Sequence, residues 1–363
     1  MNRANIISAK QAVFLLLTCI LSTVDVFLPS EVAQHAGRDA WMSALLAALI
    51  GYFIYRIIIG LCLIFPDHSL VGFSRLLLGR YLGGLLALIY IVSFLVFCVM
   101  VTIQFSIIIS TSFKPESPPF VWHMVVLVPA LYVSYLGISV PARMNELLLP
   151  LGLLLLPLVA LLNIPNINWD EYLPMLQHGL LPPIEGAVLT AGELTYPMLI
   201  LALIPLISHK EKLVGYGIPA FITVGIALLI GTLSIPILGL KTTEASLLPA
   251  LMMVRSIEIG FITRMDPFMM TIWFTGFFIF IAAFSYSAAS LTRELFGFKG
   301  YRMILLSYGF IIIIAANIYI TNVPLLRYFM QFPLTLWLYS VSLVIPIFLI
   351  IVAKLRGYPK QAK

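Results

Sequence analysis

Ile20-Leu21-Ser22-Thr23-Val24-Asp25-Val26-Phe27-Leu28-Pro29 and Thr190-Ala191-Gly192-Glu193-Leu194-Thr195-Tyr196-Pro197 are two apolar stretches, each carrying an acid four residues before a proline. A charged side chain at bilayer depth costs several kcal/mol, so intramembrane acids face cavities or protein and mark functional paths. Proline removes a backbone donor and breaks the helical ladder. The two stretches therefore predict two broken helices, one in each half of the chain, framing a polar site near the membrane midplane. Paired interruptions in corresponding halves are the sequence pointer to the binding site of an inverted-repeat transporter fold.

The rest of the composition sets the solvent. The chain has 363 residues, of which 61% are hydrophobic and 10% charged, and its mean hydropathy is +1.08. Soluble domains carry about 25% charged residues, so this is an all-α polytopic membrane protein. Apolar runs of roughly 20 residues, the length a span needs, lie near 10–34, 40–64, 83–112, 119–138, 145–163, 183–208, 213–239, 265–292, 302–321 and 333–354. Asp67 to Arg80 predicts an amphipathic helix before the third span, and Thr243 to Ile259 a second one before the eighth. Arg3 and Lys10 precede the first apolar run as in a signal peptide, but no small-residue cleavage site follows, so it is read as a span.

Lysine and arginine orient the chain. With the N-terminus inside, 15 fall on the cytoplasmic side and six on the other, a positive-inside bias that places both termini in the cytoplasm. Ten spans divide into five and five, giving one membrane domain with repeats over 10–163 and 183–354 and an extracytoplasmic connection over 164–182. The first and sixth spans, which carry the two acids, are then counterparts.

Few other residues suggest chemistry. Glu193 is either a carboxyl facing unwound backbone or a ligand amine, or a neutral acid joining two helices. Asp25 either pairs with Gln104, a neighbouring hydroxyl or a cation, or bonds the backbone freed near Pro29. Thr102 and Gln104 are interhelical polar contacts or cavity walls, and Ser285, Tyr286 and Ser287 line a cavity or permit close packing. Asn317 is read as structural. Arg264 and Asp266 predict a local ion pair at the start of the eighth span, and Arg143 and Glu146 an interfacial pair. The three cysteines, Cys19, Cys62 and Cys98, sit in apolar spans without metal-ligand spacing. The histidines are scattered, and no phosphate loop, dinucleotide fingerprint or nucleophile elbow is present. No enzyme activity, cofactor or metal is expected. The net charge of +6 forms no basic, aromatic-interleaved face, so no nucleic acid is expected as a partner.

In sequence order, Ile7-Ser8-Ala9-Lys10-Gln11, Leu28-Pro29, Ala36-Gly37-Arg38-Asp39-Ala40-Trp41, Phe65-Pro66-Asp67, Leu78-Gly79-Arg80-Tyr81-Leu82-Gly83, Gly192-Glu193, and Arg264-x-Asp266 with Trp273 resemble the B subunits of endospore germinant receptors. These form the spore-permease branch of the amino acid–polyamine–organocation superfamily. The resemblance implies a LeuT-like fold of two inverted five-helix repeats with broken first and sixth helices. It implies a place in the spore inner membrane beside an A subunit and a C-subunit lipoprotein. It also implies binding of a small nutrient germinant, an amino acid, sugar or nucleoside. Carried onto this chain, the ligand would meet Ser22, Thr23, Asp25, Thr190, Ala191, Gly192, Glu193 and Tyr196, with Val101, Gln104, Phe280 and Phe284 opposite. Ser22 and Thr23 depart from the family's small or apolar pair, and Asp25 adds a carboxyl. An ionised Asp25 would favour an amine or cation. The alternative function is an ion- or proton-coupled secondary transporter of amino acids or amines.

Overall fold

A chain in lipid must satisfy its backbone hydrogen bonds internally, which leaves helices as the economical solution for apolar runs of this length. The computed structural model describes residues 5–113, 116–257, 266–320 and 332–358, and the side chains of residues 25–27 and 332 lie outside that description. A two-residue strand β1 (Ile7–Ser8) leads into α1 (Ala9–Ala36), α2 (Ala40–Ile64), α3 (Leu70–Ser112), α4 (Pro119–Leu136) and α5 (Ser139–Leu162). Short 3-10 turns cross to α6 (Leu181–Glu193), α7 (Leu199–Leu203) and β2 (Ile207–Ser208). There follow α8 (Lys212–Thr232), the short α9 (Ser234–Leu238), α10 (Leu240–Ala245) and α11 (Pro249–Arg255), then α12 (Asp266–Phe296) and α13 (Arg302–Ile320). The chain ends in α14 (Phe332–Tyr339) and α15 (Ile345–Leu355), joined by a π-helical turn over Ser340–Val344. Among the described residues, nine helical stretches are long and apolar enough to cross a membrane, one of them (Leu28–Ile64) joining the end of α1 to α2, and Ala9–Val24 is a shorter apolar helix.

The centre of the bundle follows from which helices are buried all round. Helix α1 lies against α6, α8 and α12, α2 against α6 and α8, and α3 runs along α12. Helix α1 starts at a capping box, in which the Ser8 hydroxyl accepts from the Gln11 amide while the Gln11 side chain accepts from Ser8 N–H; this satisfies two donors that a helix start leaves open. Strands β1 and β2 pair in parallel, Ile7 with Ile207 and Ser8 with Ser208, tying the start of the chain to the end of the sixth span.

Three elements differ from expectation. The first span does not break: α1 continues through Asp25 to Pro29 and beyond. A lone proline forfeits one ladder bond, which surrounding protein can absorb at membrane depth. Just below it the Ser22 and Thr23 hydroxyls bond back to Cys19 and Ile20 carbonyls. The amphipathic arm before the third span is present but merges with it, turning at Gly79, whose φ of 83° is open to glycine at no steric cost. The turn lays Gly83 on the backbone of Ser74, whose hydroxyl donates to the Gly83 carbonyl at 3.1 Å. The second amphipathic stretch divides into α10 and α11, and its end lies outside the described residues.

One expected ion pair is replaced, and the other, Arg264 with Asp266, involves a residue outside the described ones. Asp266 is fully buried and meets Arg255 at 3.4 Å, because α11 ends against the start of α12; Arg264 lies outside the described residues. Glu146 accepts from the Gln11 side chain at 2.9 Å instead of pairing with Arg143, since α5 stands beside the start of α1.

Glycine sets the α1–α12 approach. A Cβ built on Gly276 collides with the Ser22 side chain. Overpacking of this kind costs about 1–3 kcal/mol. Gly276→Ala is expected to lower the melting temperature of the purified protein, and adding Ser22→Gly to restore most of it; scanning fluorimetry of the three proteins checks this.

Candidate functional site

The sixth span is interrupted where its sequence places Gly192, Glu193, Thr195 and Pro197 together. Helix α6 stops at Glu193, and Leu194 (φ -83°, ψ 10°) and Thr195 (φ -85°, ψ 2°) leave the helical region. A 3-10 turn over Tyr196–Met198 then opens α7. Pro197 has no N–H to extend the ladder, and a threonine hydroxyl competes for nearby backbone. Thr195 donates to the Gly192 carbonyl at 2.7 Å. The Thr195 carbonyl in turn accepts from Ser342 at 3.2 Å. Ser342 belongs to the π-helical turn between α14 and α15, so an irregular turn in the last span completes the irregular turn in the sixth. Gly192 packs closely on the last span: a Cβ there would meet the Thr335 methyl of α14 at 3.1 Å.

A small cavity opens beside this break, lined by Phe97, Met100, Val101, Gln104, Glu193, Tyr196, Leu334 and Leu338. It has room for about one or two water molecules. One wall is aromatic: Tyr196 packs edge-on against Phe97, Phe280 and Phe284, with ring centroids 6.0, 5.0 and 5.9 Å away. Phe280 and Phe284 stack at 4.4 Å behind it. Tyr196 is 7% exposed and its hydroxyl interacts with the Thr23 side chain, which links α1 to the turn.

The cavity also carries polar groups. Gln104 is 7% exposed, and its buried Oε1 has no hydrogen-bond partner. An unpaired buried acceptor costs about 1–3 kcal/mol, so a group retained in this condition awaits a donor. Glu193 is half-buried. A second acid, Glu31, lies near the C-terminal end of α1.

The residues singled out in the sequence are distributed as follows. Val101, Gln104, Glu193 and Tyr196 meet at the cavity, with Phe280 and Phe284 one layer behind. Ala191 and Gly192 are buried at the break. Ser22 and Thr23 are buried and bond their own helix. Thr190 donates to Gly186 at 2.8 Å and faces a separate apolar cavity with Val24, Leu28, Pro29 and Val32. The Asp25 side chain lies outside the described residues. Thr102 bonds Cys98 at 2.7 Å within α3, and Asn317 bonds Ile313 at 2.7 Å within α13. Ser285 lies 3.3 Å from the Ser134 hydroxyl and Ser287 bonds Ala283, both fully buried, so these serines pack α12 against its neighbours. Glu31, Phe97, Met100, Leu334 and Leu338 were not signalled. Glu31 falls at the end of a span where acids are ordinary, and apolar residues in apolar helices give no contrast.

Removing the Tyr196 ring would leave a cavity among three phenylalanines, and aromatic truncations in packed cores cost about 3–5 kcal/mol. Tyr196→Ala is expected to lower the melting temperature far more than Tyr196→Phe, which keeps the packing and loses only the tie to Thr23; thermal unfolding of both variants checks this.

Comparison with known proteins agrees with this architecture. MhsT in complex with L-phenylalanine superposes with a TM-score of 0.68 at 14% identity, covering 96% of this chain and 98% of that one. Mhp1, a nucleobase-cation-symport-1 family transporter in a closed conformation with bromovinylhydantoin bound, gives 0.61 at 12% identity, covering 99% and 86%. Both establish the LeuT transporter fold. Among relatives by sequence, spore germination protein KB of Bacillus subtilis (strain 168) is 26% identical over 322 residues, 87% of this chain and 86% of its own. Spore germination protein YndE of the same strain is 25% identical over 299 residues, 80% and 81%. Spore germination protein XB of Bacillus anthracis is 27% identical over 255 residues, 69% and 70%. The family model described as spore germination protein, the spore permease family, matches residues 6–323, and the chain belongs to that family.

Proposed function

We propose that this protein is the nutrient-sensing B subunit of an endospore germinant receptor, receiving a small molecule, an amino acid in the first instance, at the break of the sixth span. The observation that carries this is the Gln104 oxygen left without a donor on a cavity shared with Glu193 and Tyr196. The cavity is too small for a whole amino acid, so binding requires that the aromatic wall of Tyr196, Phe280 and Phe284 move. A ligand that stabilises the expanded arrangement shifts the protein toward it by its difference in affinity for the two states. The broken turn is the element free to change, because its backbone is held by a few side-chain bonds and not by a full ladder.

In this proposal the site residues are Ser22, Thr23, Asp25, Val101, Gln104, Thr190, Ala191, Gly192, Glu193, Tyr196, Phe280 and Phe284. The chain comprises two five-helix repeats, 10–163 and 183–354, with 164–182 outside the cell membrane and both termini in the cytoplasm. It works in the spore inner membrane with an A subunit and a C-subunit lipoprotein, which read the change in shape. It performs no covalent chemistry.

A second function, ion- or proton-coupled transport of amino acids or amines, is favoured by the fold shared with MhsT and Mhp1. Fold alone does not decide function. Labelled-substrate flux decides between them: a sensor reconstituted alone in liposomes is expected to move little, whereas a carrier accumulates substrate against an ion gradient.

In spores carrying the complete receptor, Glu193→Gln at normal abundance is expected to move the germinant dose–response curve to higher concentration by about tenfold or more, the scale of one lost charge-assisted hydrogen bond. An unshifted curve would leave Glu193 without a part in sensing.

A further inference from the structure

We propose that the protein holds an anionic phospholipid at the corner where the arm before the third span meets the end of α12. Arg80, Arg293 and Lys299 receive its phosphate, and its chains lie on Tyr81, Phe296 and Phe298. Tyr81 precedes Phe97, the first cavity residue on α3, by 16 residues, about 24 Å of helix, so this corner is separate from the sixth-span site.

Local rules build the corner. The arm over residues 70–78 ends at the Gly79 turn and is fastened to α12 along its length. The Ser69 hydroxyl donates to the Glu294 carboxylate at 2.6 Å, and Arg75 donates to the Leu295 carbonyl at 2.7 Å. Just beyond the turn, a Cβ on Gly84 would stand 3.6 Å from the Leu295 side chain. The residues that follow Gly79 and those that follow Leu295 therefore emerge side by side. Helix α12 closes in a Schellman turn: Gly297 has φ 73°, and the Phe298 N–H donates to the Arg293 carbonyl at 3.0 Å. This brings the Phe298 ring back beside that of Phe296, with centroids 6.0 Å apart.

What the corner presents outward suits one kind of occupant. Tyr81 is 88% exposed, Phe296 61% and Phe298 54%. Arg80, Arg293 and Lys299 are exposed among them. Among the described residues the salt bridges are made by His209, Lys210 and Arg255, so these three cations face no protein carboxylate. Glu294, the acid of this corner, is engaged by Ser69. Aromatic rings gain by leaving water and collect at the membrane interface, while guanidinium groups match phosphate oxygens in geometry as well as charge. A soluble anion would leave the rings bare, and a zwitterionic lipid would bring its own cation to three others. A lipid with a net negative headgroup satisfies both halves. An amphipathic arm lying in the interface holds such a headgroup at the depth where its phosphate resides.

The test uses the full chain purified in a nonionic detergent. Its melting temperature is followed as dioleoylphosphatidylglycerol or dioleoylphosphatidylcholine is added, and native mass spectrometry counts the lipids retained. Phosphatidylglycerol is expected to raise the melting temperature to a plateau and to bind at least tenfold more tightly than phosphatidylcholine. Arg80→Gln, Arg293→Gln and Lys299→Gln should each weaken phosphatidylglycerol about fivefold, the scale of one cation beside an anionic lipid, and leave phosphatidylcholine unchanged. The triple variant should lose the preference. Arg80→Lys with Arg293→Lys, which keeps the charges, should retain most of it, so the test survives a triple variant that fails to fold. Tyr81→Ser with Phe296→Ser should weaken both lipids. Lys212→Gln removes an exposed cation at the start of α8 and should change neither. Equal stabilisation by the two lipids would overturn the proposal, as would a preference that survives in the folded triple variant. An equal loss in Lys212→Gln would reduce it to diffuse surface charge, and equal stabilisation by glycerol phosphate would make this a site for free phosphate esters; either result overturns it.

Discussion

The interruption of one helical ladder in a medium without water is the constraint around which this structure is arranged. In an aqueous protein the carbonyls released at Gly192 and Thr195 would find solvent. In a membrane they must find protein. The first is met by the Thr195 hydroxyl and the second by Ser342, and the Ser342 backbone itself sits in a π-helical turn. Tyr90 of α3 donates to the Val341 carbonyl in that same turn. The third, sixth and last spans are thus joined through two hydrogen bonds, with a third spanning the break inside the sixth. Irregular turns of this kind are common at functional sites, and here the irregularity in the last span makes the one in the sixth sustainable.

The aromatic cluster gives this arrangement its volume. Tyr196 stands on the broken turn, Phe97 on α3, and Phe280 and Phe284 on α12, and edge-on contacts hold all four rings together. Such pairs add about 0.5–1.5 kcal/mol each beyond the area they bury, so the closed cavity is a packed state and not a loose one. Binding and closure therefore compete for the same space. A group entering beside Gln104 and Glu193 must displace ring contacts, and that exchange is how occupancy becomes a change in shape.

Much of the architecture was legible because polar residues in apolar runs stand out. Gln104, Glu193 and Tyr196 were recognisable for that reason, and the structure gathers them on one cavity. Their partners Phe97, Met100, Leu334 and Leu338 were not, since an apolar side chain in a membrane helix looks the same facing lipid or ligand. Asp25–Pro29 and Glu193–Pro197 looked alike in sequence but behave differently. Proline states that one N–H is missing; it does not state whether the next turn holds. In α1 the serine and threonine before the proline bond backward within the helix, whereas in the sixth span a threonine lies between acid and proline and binds across the break. The position of the hydroxyl relative to the proline carried the information.

The short pairing of Ile7–Ser8 with Ile207–Ser208 has a mechanical consequence. Beyond the broken turn, α7 and its continuation form a short segment hinged at one end and stitched at the other to the residues just before α1. A rotation of that segment cannot remain internal. It must either shear a two-residue seam or carry the amino terminus with it, so displacement at the buried hinge is delivered to the surface of the bundle by a tether a few residues long.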